Sequence, residues 1–382
     1  MADTGANRRI LLVTNDLGPR AGGIETFILG LMNYVNGSEL VIYTSSQSGS
    51  ADFDRRLSEK YGVIVIRDKT KVLLPTPRVT RSVVRTMKHY QSSVIWFGAT
   101  APLGWMAPVL RRNGAQKIIG LTHGHEVWWA KVFPFNLAMH RMGNAIDVIT
   151  YLGDFTKAAI SPALGKHPEY VRIAPGIDVQ HFRPGNGTAT RSELGIDSKR
   201  VIMCVGRLVH RKGQDFLVQA MPSVLRRIPE AVLVLVGVGP REEFLRKEVA
   251  RLGIHDSVIF TGRIQYDQLP RYFHAADLFV MPSRSRLAGL EVEGLGIVYL
   301  EASACGIPVI AGKSGGAPDA VIEGETGLLV DGTHVDEIAD CIVSLLPDRE
   351  RLLRMGKAGA DWISKEWSWE MWGERFAALV NN

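Results

Sequence analysis

Cysteine is scarce in this sequence, and its few copies are far apart. Cys204, Cys305 and Cys341 are the three in 382 residues, and their spacing matches neither a disulfide framework nor a metal site. The first sixteen residues also lack the apolar stretch and cleavage site of a signal peptide. These absences exclude a disulfide-stapled secreted domain, and we expect a cytoplasmic protein without a bound metal.

Charge is absent from residues 91–110, a stretch about as long as a membrane span. Gly98, Pro102, Gly104 and Pro108 interrupt it, and such residues suit a lone transmembrane helix poorly. We therefore expect a buried strand at 93–97, a glycine turn and a short helix.

The common nucleotide-binding motifs are missing as well. No Walker A motif occurs, and VLVLVGVGP at 232–240 lacks the third glycine and the later acidic residue of a dinucleotide fingerprint. The sequence therefore favours neither a P-loop enzyme nor a hydride-transfer enzyme.

Short apolar runs separated by helical patterns are abundant, and most are continuous, as in strands buried on both faces. They occupy 10–14, 40–44, 63–66, 94–97, 118–122, 148–151 and 171–174, then 201–205, 232–236, 258–261, 278–281, 309–311 and 328–330. This repeated alternation predicts an α/β fold of two doubly wound, Rossmann-like domains facing a central cleft. We place the first domain at 1–174, a linker rich in proline and glycine at 175–195, and the second domain at 196–364.

Basic residues are concentrated in the first half of the chain. Residues 1–170 carry 20 Lys and Arg against 12 Asp and Glu, whereas the remainder carries 25 against 27. This excess predicts an anionic partner for the first half, such as a membrane surface or a phosphorylated substrate. We expect no nucleic-acid partner.

Two turns at predicted strand ends have the composition of phosphate sites. Gly22 and Gly23 precede a helix, whose dipole and free backbone N–H groups attract anions. Arg207 follows the strand 201–205 and Lys212 lies five residues further on, so the two cations can neutralise a diphosphate. Taken singly, the glycines also suit a plain turn, and the cations suit a solvated loop.

Two further segments place polar groups where strands end. GLTHGHEVWW at 120–129 presents His123, His125 and Glu126, and TGR presents Arg263 beside Ile264. The two histidines allow a metal site, but no further ligands are evident. A hydrogen bond from His123 to a substrate is therefore favoured.

The stretch GLEVEGLGIVYLEASACG at 289–306 combines glycines with carboxylates. The run 297–304 predicts the start of a helix, with Glu293 in the loop before it and Glu301 one turn into it. Because a glycine turn separates them, both carboxylates can point at one ligand at the helix N-terminus.

These pieces occur in an order that resembles one family, the retaining glycosyltransferases of family 4, over nearly the whole chain. The features shared are the glycine pair, GR…KG, TGR, the E-x7-E from Glu293 to Glu301, and GGAPD at 315–319. The resemblance implies the GT-B fold, with a helix at about 365–382 returning to the first domain. Among such enzymes the sequence is similar to the actinobacterial phosphatidylinositol mannosyltransferases, which use GDP-mannose. The resemblance implies transfer of mannose to a phosphatidylinositol mannoside through an α-(1-6) linkage. It also implies that the enzyme is cytoplasmic and peripheral on the inner face of the plasma membrane.

The resemblance also implies a role for each site residue. Arg207 and Lys212 would carry the diphosphate, and His123 would support the positive charge that develops on the sugar. Glu293 would hold the sugar, and Glu301 would accept hydrogen bonds from the ribose. Donor contacts are further implied for Gly22, Gly23, Arg263, Ile264, Gly294, Leu295, Gly296, Ile297 and Val298. No carboxylate nucleophile is evident, so a front-face displacement is expected.

One departure from the family pattern lies in the first glycine turn, LGPRAGG at 17–23. Gly18 stands where relatives more often have a second proline, which predicts a looser loop. In GGAPD, Asp319 replaces the usual glutamate, with little expected consequence.

A basic stripe predicts how a lipid acceptor is reached. Arg78, Arg81, Arg85 and Lys88 follow 3-4-3 spacing after two prolines, which places all four on one helix face. A solvated face is the alternative, but the stripe lies in the basic half of the chain. We expect it to bind an anionic membrane reversibly.

Other functions stay open at this point. The same fold serves transferases with other nucleotide sugars or soluble acceptors, and it serves nucleotide-sugar epimerases. A two-lobed, non-catalytic sugar-binding protein is a different class, against which the paired cations at 207 and 212 argue.

Overall fold

A computed structural model describes residues 9–20 and 22–381 of the chain. The chain divides into two compact units, one running up to Gly176 and resuming at Trp369, the other comprising Ile177–Ser368. The predicted linker at 175–195 therefore belongs almost entirely to the second unit. Ile177 pairs with Ser368, and residues 188–194 form a helix whose Arg191 bonds the carbonyl oxygen of Ala275 at 2.9 Å.

The first unit is built on a parallel sheet. Its strands are β1 (Arg9–Thr14), β2 (Leu40–Thr44), β3 (Ile64–Arg67), β4 (Ser92–Phe97), β5 (Lys117–Gly120), β6 (Val148–Tyr151) and β7 (Glu169–Arg172). They lie in the order β3-β2-β1-β4-β5-β6-β7. The inner strands are buried along their length because helices cover both faces.

Helices of the first unit connect consecutive strands. They are α1 (Gly23–Met32), α2 (Ser50–Tyr61), α3 (Pro77–His89), α4 (Ala107–Arg112), α5 (Glu126–Lys131), α6 (Phe135–Gly143) and α7 (Asp154–Leu164). One continuous hydrophobic cluster joins side chains of α3, α4, α6 and α7 to the same face of the sheet. These four helices therefore cover a single side of this unit.

The C-terminal helix of the chain, α15 (Trp369–Asn381), belongs to the first unit and packs on α1. A side chain at Gly30 would collide with the Trp369 ring, and one at Gly373 would collide with Tyr34. Phe376 reaches the sheet and contacts the buried Trp96 at 4.7 Å between ring centroids. Glycines on both helices thus permit the close approach that buries these aromatic rings.

The second unit repeats the design with its own parallel sheet. Its strands are β8 (Arg200–Val205), β9 (Ala231–Val236), β10 (Val258–Gly262), β11 (Leu278–Met281), β12 (Val309–Gly312) and β13 (Gly327–Val330), in the order β10-β9-β8-β11-β12-β13. Its helices are α8 (Thr188–Leu194), α9 (Gln214–Arg227), α10 (Glu242–Arg251), α11 (Leu269–Ala275), α12 (Ile297–Ala304), α13 (Val335–Leu345) and α14 (Arg349–Glu366). This is the strand order of a dinucleotide-binding Rossmann fold, in which ligands bind beyond the carboxyl ends of the strands.

The predicted α/β fold class is confirmed in both units. Every predicted strand forms, with bounds that differ by at most two residues. The uncharged stretch 91–110 becomes β4, a 3-10 turn at Leu103–Met106 and α4, as expected. Within 9–20 and 22–381, no helix is both long and apolar enough to cross a membrane.

Candidate active site

Lys212 and Glu293 meet at the carboxyl end of the second sheet. Lys212 ends the 3-10 turn after β8, and Glu293 lies in the loop before α12. The Lys212 ammonium is 2.9 Å from Oε2 of Glu293, and the side chains are only 10% and 9% exposed. Gly213 closes the turn with a φ of +75°, and a Cβ there would lie 2.0 Å from the Pro282 carbonyl oxygen. The turn is thus pressed against the end of β11, which fixes the lysine.

A second cation, Arg211, reaches the same carboxylate. Its Nε lies 3.7 Å from Oε2 of Glu293, and its side chain is half-buried. Sequence reasoning missed Arg211, although it stands directly before Lys212 in the same turn. Glu293 therefore lies between two cations, Arg211 and Lys212.

A buried ion pair between Arg284 and Asp215 supports the turn that carries Arg211 and Lys212. Arg284 holds both oxygens of Asp215, at 2.7 and 2.8 Å, and its backbone N–H donates to the Arg211 carbonyl at 2.8 Å. The pKa of Asp215 is lowered because Arg284 outweighs the effect of burial. Neither residue was predicted, since 69 residues separate them in sequence. The two bonds of this ion pair, with the backbone bond to Arg211, fix the position of the turn relative to the residues after β11.

The loop carrying Glu293 rests on the GGAPD segment. The backbone N–H of Gly316 donates to the Glu293 carbonyl at 2.8 Å, and the Ser314 hydroxyl accepts from the Glu293 N–H at 3.3 Å. Gly315 has a φ of +56°, and a Cβ there would come within 2.1 Å of the Glu293 carbonyl oxygen. The glycine pair is therefore required for the loop to lie this close.

Glu301 is the buried acid of α12. Burial raises its pKa to about 7, an effect that the positive charge of Lys212 opposes. In the described part of the chain its carboxylate has no hydrogen-bond partner. A buried acceptor without a donor fits a ligand that brings hydroxyl groups. Free backbone N–H groups are expected at the first turn of α12, the region predicted to contact the donor at Gly294, Leu295, Gly296, Ile297 and Val298.

The other predicted residues of the second unit are more open. Arg207 follows β8 on the surface, and it makes no ion pair with any residue that the structure describes. Arg263 is exposed and Ile264 half-buried, directly after β10. Since β8 and β10 flank β9 in the parallel sheet, these positions share an edge with Lys212.

His123 is held in one orientation at the end of β5. Its Nε2 lies 2.6 Å from the carbonyl oxygen of Gly98, so the ring carries its proton on Nε2. Burial lowers the pKa of His123, which keeps the imidazole neutral at pH 7. The buried Glu126 accepts the His123 backbone N–H at 2.9 Å, and His125 lies 3.3 Å from the same carboxylate. Among the residues described, no three or more His, Cys, Asp or Glu side chains are grouped to hold a metal ion.

The first glycine turn opens α1. Gly22 caps the helix, and its N–H donates to the carboxylate of Glu25 at 3.1 Å. A Cβ at Gly22 or Gly23 would meet nothing within 4 Å, so the approach to this helix end is unobstructed. Ala21, between the two halves of the turn, lies outside the described residues.

Gly18 does not loosen this loop, contrary to our expectation. Its carbonyl accepts from Arg67 at 2.6 Å, and Gln47 bonds the Leu17 carbonyl at 2.7 Å. A Cβ at Gly18 would lie 2.2 Å from the Phe53 ring. Glycine is therefore needed here for close packing.

Helix α3 forms where the basic stripe was predicted, but its first member is not free. Arg78 bonds both oxygens of the buried Asp68, at 2.7 and 3.0 Å. This pairing holds the pKa of Asp68 well below its usual range. Arg81, Arg85 and Lys88 are exposed and form no ion pair in the described residues. The predicted stripe of four cations is thus a stripe of three.

Solved structures with the same fold are glycosyltransferases of the GT-B type. The Anabaena protein HepE in complex with UDP superposes with a TM-score of 0.81 at 19% identity, covering 98% of this chain and 99% of that one. Sucrose-phosphate synthase from Thermosynechococcus elongatus gives 0.79 at 22% identity, covering 98% of both chains. These similarities define the class of fold.

Sequence comparisons define the family more narrowly. Residues 188–362 match the group 1 glycosyl transferases. A Mycolicibacterium smegmatis protein named GDP-mannose-dependent alpha-(1-6)-phosphatidylinositol monomannoside mannosyltransferase is 41% identical over 97% of this chain and 98% of its own. The Corynebacterium glutamicum enzyme named for the monoacylated acceptor is 40% identical over 99% of both. The chain therefore belongs to the family of GDP-mannose-dependent phosphatidylinositol monomannoside mannosyltransferases, within the group 1 glycosyl transferases.

Proposed function

We propose that this protein transfers mannose from GDP-mannose to a phosphatidylinositol monomannoside, with retention of the α configuration and formation of an α-(1-6) linkage. Family membership over nearly the whole chain supports the donor and the acceptor. The observation in the structure that carries the proposal is the buried cluster of Lys212, Glu293 and Glu301 at the N-terminus of α12.

The cluster suits a nucleoside diphosphate sugar. Arg207 and Lys212 supply positive charge for the diphosphate, whose departure carries the largest change of charge in the reaction. The N-terminus of α12 adds its dipole and backbone donors. Glu301, buried and without a partner, accepts hydrogen bonds from the ribose hydroxyls, and Glu293 holds the sugar.

The hydrogen bond made by His123 fixes the orientation of its imidazole ring and therefore the direction of the ring dipole. Its Nε2–H donates to the Gly98 carbonyl, so Nδ1 is unprotonated. We propose that this neutral imidazole and the carbonyl groups around it favour the positive charge that develops on the anomeric carbon. The leaving phosphate then receives the proton of the acceptor hydroxyl as the new bond forms on the same face.

The acceptor requires access to a membrane. We propose that the exposed Arg81, Arg85 and Lys88 bind the anionic inner face of the plasma membrane, so the enzyme is peripheral and cytoplasmic. A basic residue near an anionic surface contributes about 1 kcal/mol, so three support a reversible contact that salt weakens.

A transferase for another nucleotide sugar is the second candidate. The HepE structure contains UDP. The family resemblance implies that the main chain of Ile264 contacts the base, and a main-chain contact has little preference among bases. The choice of donor therefore needs a direct experiment.

Thermal stabilisation by a panel of donors tests the proposal. GDP-mannose at about 100 times its Kd should stabilise the protein by about 2.7 kcal/mol, and UDP-glucose at the same concentration should stabilise it far less. A GDP-mannose analogue without ribose 2′ and 3′ hydroxyls should bind more weakly, because Glu301 loses its donors. Equal stabilisation by UDP-glucose would reject the donor assignment, and equal binding of the dideoxy analogue would reject the role of Glu301.

A further inference from the structure

An apolar groove opens on the first unit between the 3-10 turn Leu103–Met106 and helix α6. Its volume is about 720 Å³, within the range of sites that hold small molecules, roughly 300–1,000 Å³. Its walls include Trp105, Pro108, Phe135, Leu137, Ala138 and Arg141. None of these residues belongs to the proposed donor site.

Large hydrophobic side chains are exposed around this groove. Phe133 is 75% exposed and Leu137 62% exposed, and the rings of Trp105 and Trp128 are exposed as well. The Phe135 ring lies 4.9 Å from those of Trp128 and Trp129, so these three rings form one cluster. A contiguous apolar patch with tryptophan at its surface is typical of a site that meets lipid.

Basic side chains are exposed around the groove, and Asp147, two residues after the lining residue Ala145, is paired with Arg111. Arg141 extends over the Trp105 ring at 5.7 Å, and Lys131 is exposed nearby in sequence. Residues 69–146 contain eleven lysines and arginines but one carboxylate, Glu126, which is buried. A ligand that suits this surface therefore combines an apolar part with an anionic group.

The groove lies on the same side of the first unit as the basic helix α3. Val79 and Val83 of α3 and Met139 and Met142 of α6 belong to one hydrophobic cluster against one face of the sheet. When Arg81, Arg85 and Lys88 contact a membrane, the side of the unit that carries the groove therefore faces that membrane.

We infer that this groove binds one hydrocarbon chain of an anionic phospholipid, with Arg141 near its phosphate. The inference rests on the proposed function, because it assigns a place to the acyl part of the lipid acceptor. It explains why aromatic and aliphatic side chains remain exposed beside cations on this face.

Calorimetric titration with a short-chain phosphatidylglycerol, kept below its critical micelle concentration, measures whether the groove binds the lipid. Leu137→Asp should weaken binding about tenfold or more, since a leucine-sized apolar contact with the chain is lost and the chain would cover a charged carboxylate instead. Leu353→Asp is the matched control, because Leu353 is also an exposed leucine on a helix, 74% exposed. It should bind the lipid like the wild type. The deacylated glycerophosphate headgroup should show no difference between the three proteins.

The outcomes separate this inference from the proposed function. If Leu137→Asp binds the short-chain lipid as the wild type does, the groove does not hold a chain. If light scattering instead shows that Leu137→Asp splits a dimer while lipid binding is unchanged, a second copy covers the groove and the inference fails. If the wild type binds the lipid through Leu137 but transfers no mannose from GDP-mannose, the groove stands and the proposed function fails.

Discussion

The ammonium of Lys212 lies 2.9 Å from a carboxylate oxygen of Glu293, although 81 residues separate them in the chain. Both side chains are almost fully buried, and Arg211 is the second cation near that oxygen. Removing one partner leaves the other charge buried, which costs more than the pair contributes. The pair therefore holds the turn after β8 and the loop before α12 in one arrangement before any ligand binds.

A double-mutant cycle tests this coupling. We expect Lys212→Met and Glu293→Gln each to lower the free energy of unfolding by about 3 kcal/mol, and the double variant to lose clearly less than the sum. Denaturant unfolding measures the four proteins. The same cycle at the exposed pair Lys247–Glu243, 2.7 Å apart, should give a coupling below about 1 kcal/mol. Additive losses at the buried pair would show that the two side chains are independent.

Arg207 should affect donor binding without affecting stability. It is exposed and has no ion-pair partner in the described residues, so Arg207→Ala should leave the free energy of unfolding within about 0.5 kcal/mol. The Kd for GDP-mannose should rise by about 10- to 100-fold, as a charged hydrogen bond to phosphate is lost. Arg349→Ala, at another exposed arginine, should change neither quantity. A Kd close to the wild-type value in Arg207→Ala would remove this residue from the diphosphate site.

Glu301 should make stability depend on pH. Its folded pKa of about 7 lies above the usual value of 4.5, so the unfolded chain ionises first. The stability that the neutral acid contributes is fully present below about pH 4.5 and is lost as pH rises through 7. The free energy of unfolding of Glu301→Gln, relative to that of the wild type, should therefore rise by up to about 3 kcal/mol between pH 4.5 and pH 8. Glu243→Gln, at an exposed carboxyl, is the control, and parallel stability curves for all three proteins would contradict the account.

A vesicle experiment should distinguish the exposed basic residues of α3 from Arg78, which is paired with Asp68. Replacing Arg81, Arg85 and Lys88 together by serine should abolish most co-sedimentation with anionic vesicles at low salt, because about 3 kcal/mol of attraction is lost. Arg78→Ser should largely retain vesicle binding but destabilise the fold, since the buried charge of Asp68 loses its ion-pair partner and keeps only the hydrogen bonds from Tyr43 and Thr70. Equal vesicle binding by the triple variant and the wild type would reject α3 as the docking surface.

Regular elements could be predicted from the sequence because their signals are local. Continuous apolar runs marked each strand, and α12 begins at the residue where the sequence predicted the start of a helix. The site was predicted as a set of strand-end residues, but the bonds between them were not. Arg78 has the same helical spacing as its three basic neighbours, and only the tertiary fold brings it to Asp68.

Tertiary contacts also explain the other corrections. Gly18 was expected to loosen its loop, yet Arg67 and Phe53 fix it from 49 and 35 residues away. The stretch at 175–195 has the composition of a linker, but Gly185 and Gly187 pack against His274, whose ring also bonds the Arg183 carbonyl. Composition describes a segment alone and contains no information about the surface on which it packs.

Product analysis after incubation with GDP-mannose and phosphatidylinositol monomannoside tests the central claim most directly. The account predicts one added mannose per acceptor, joined through an α-(1-6) linkage by mass spectrometry and by NMR of the anomeric centre, with release of GDP. Arg207→Ala and His123→Phe should form the product at least about 100-fold more slowly, whereas Arg349→Ala should match the wild type. A β-linked product would contradict retention, and transfer only from UDP-sugars, or GDP release without a lipid product, would contradict the proposed function.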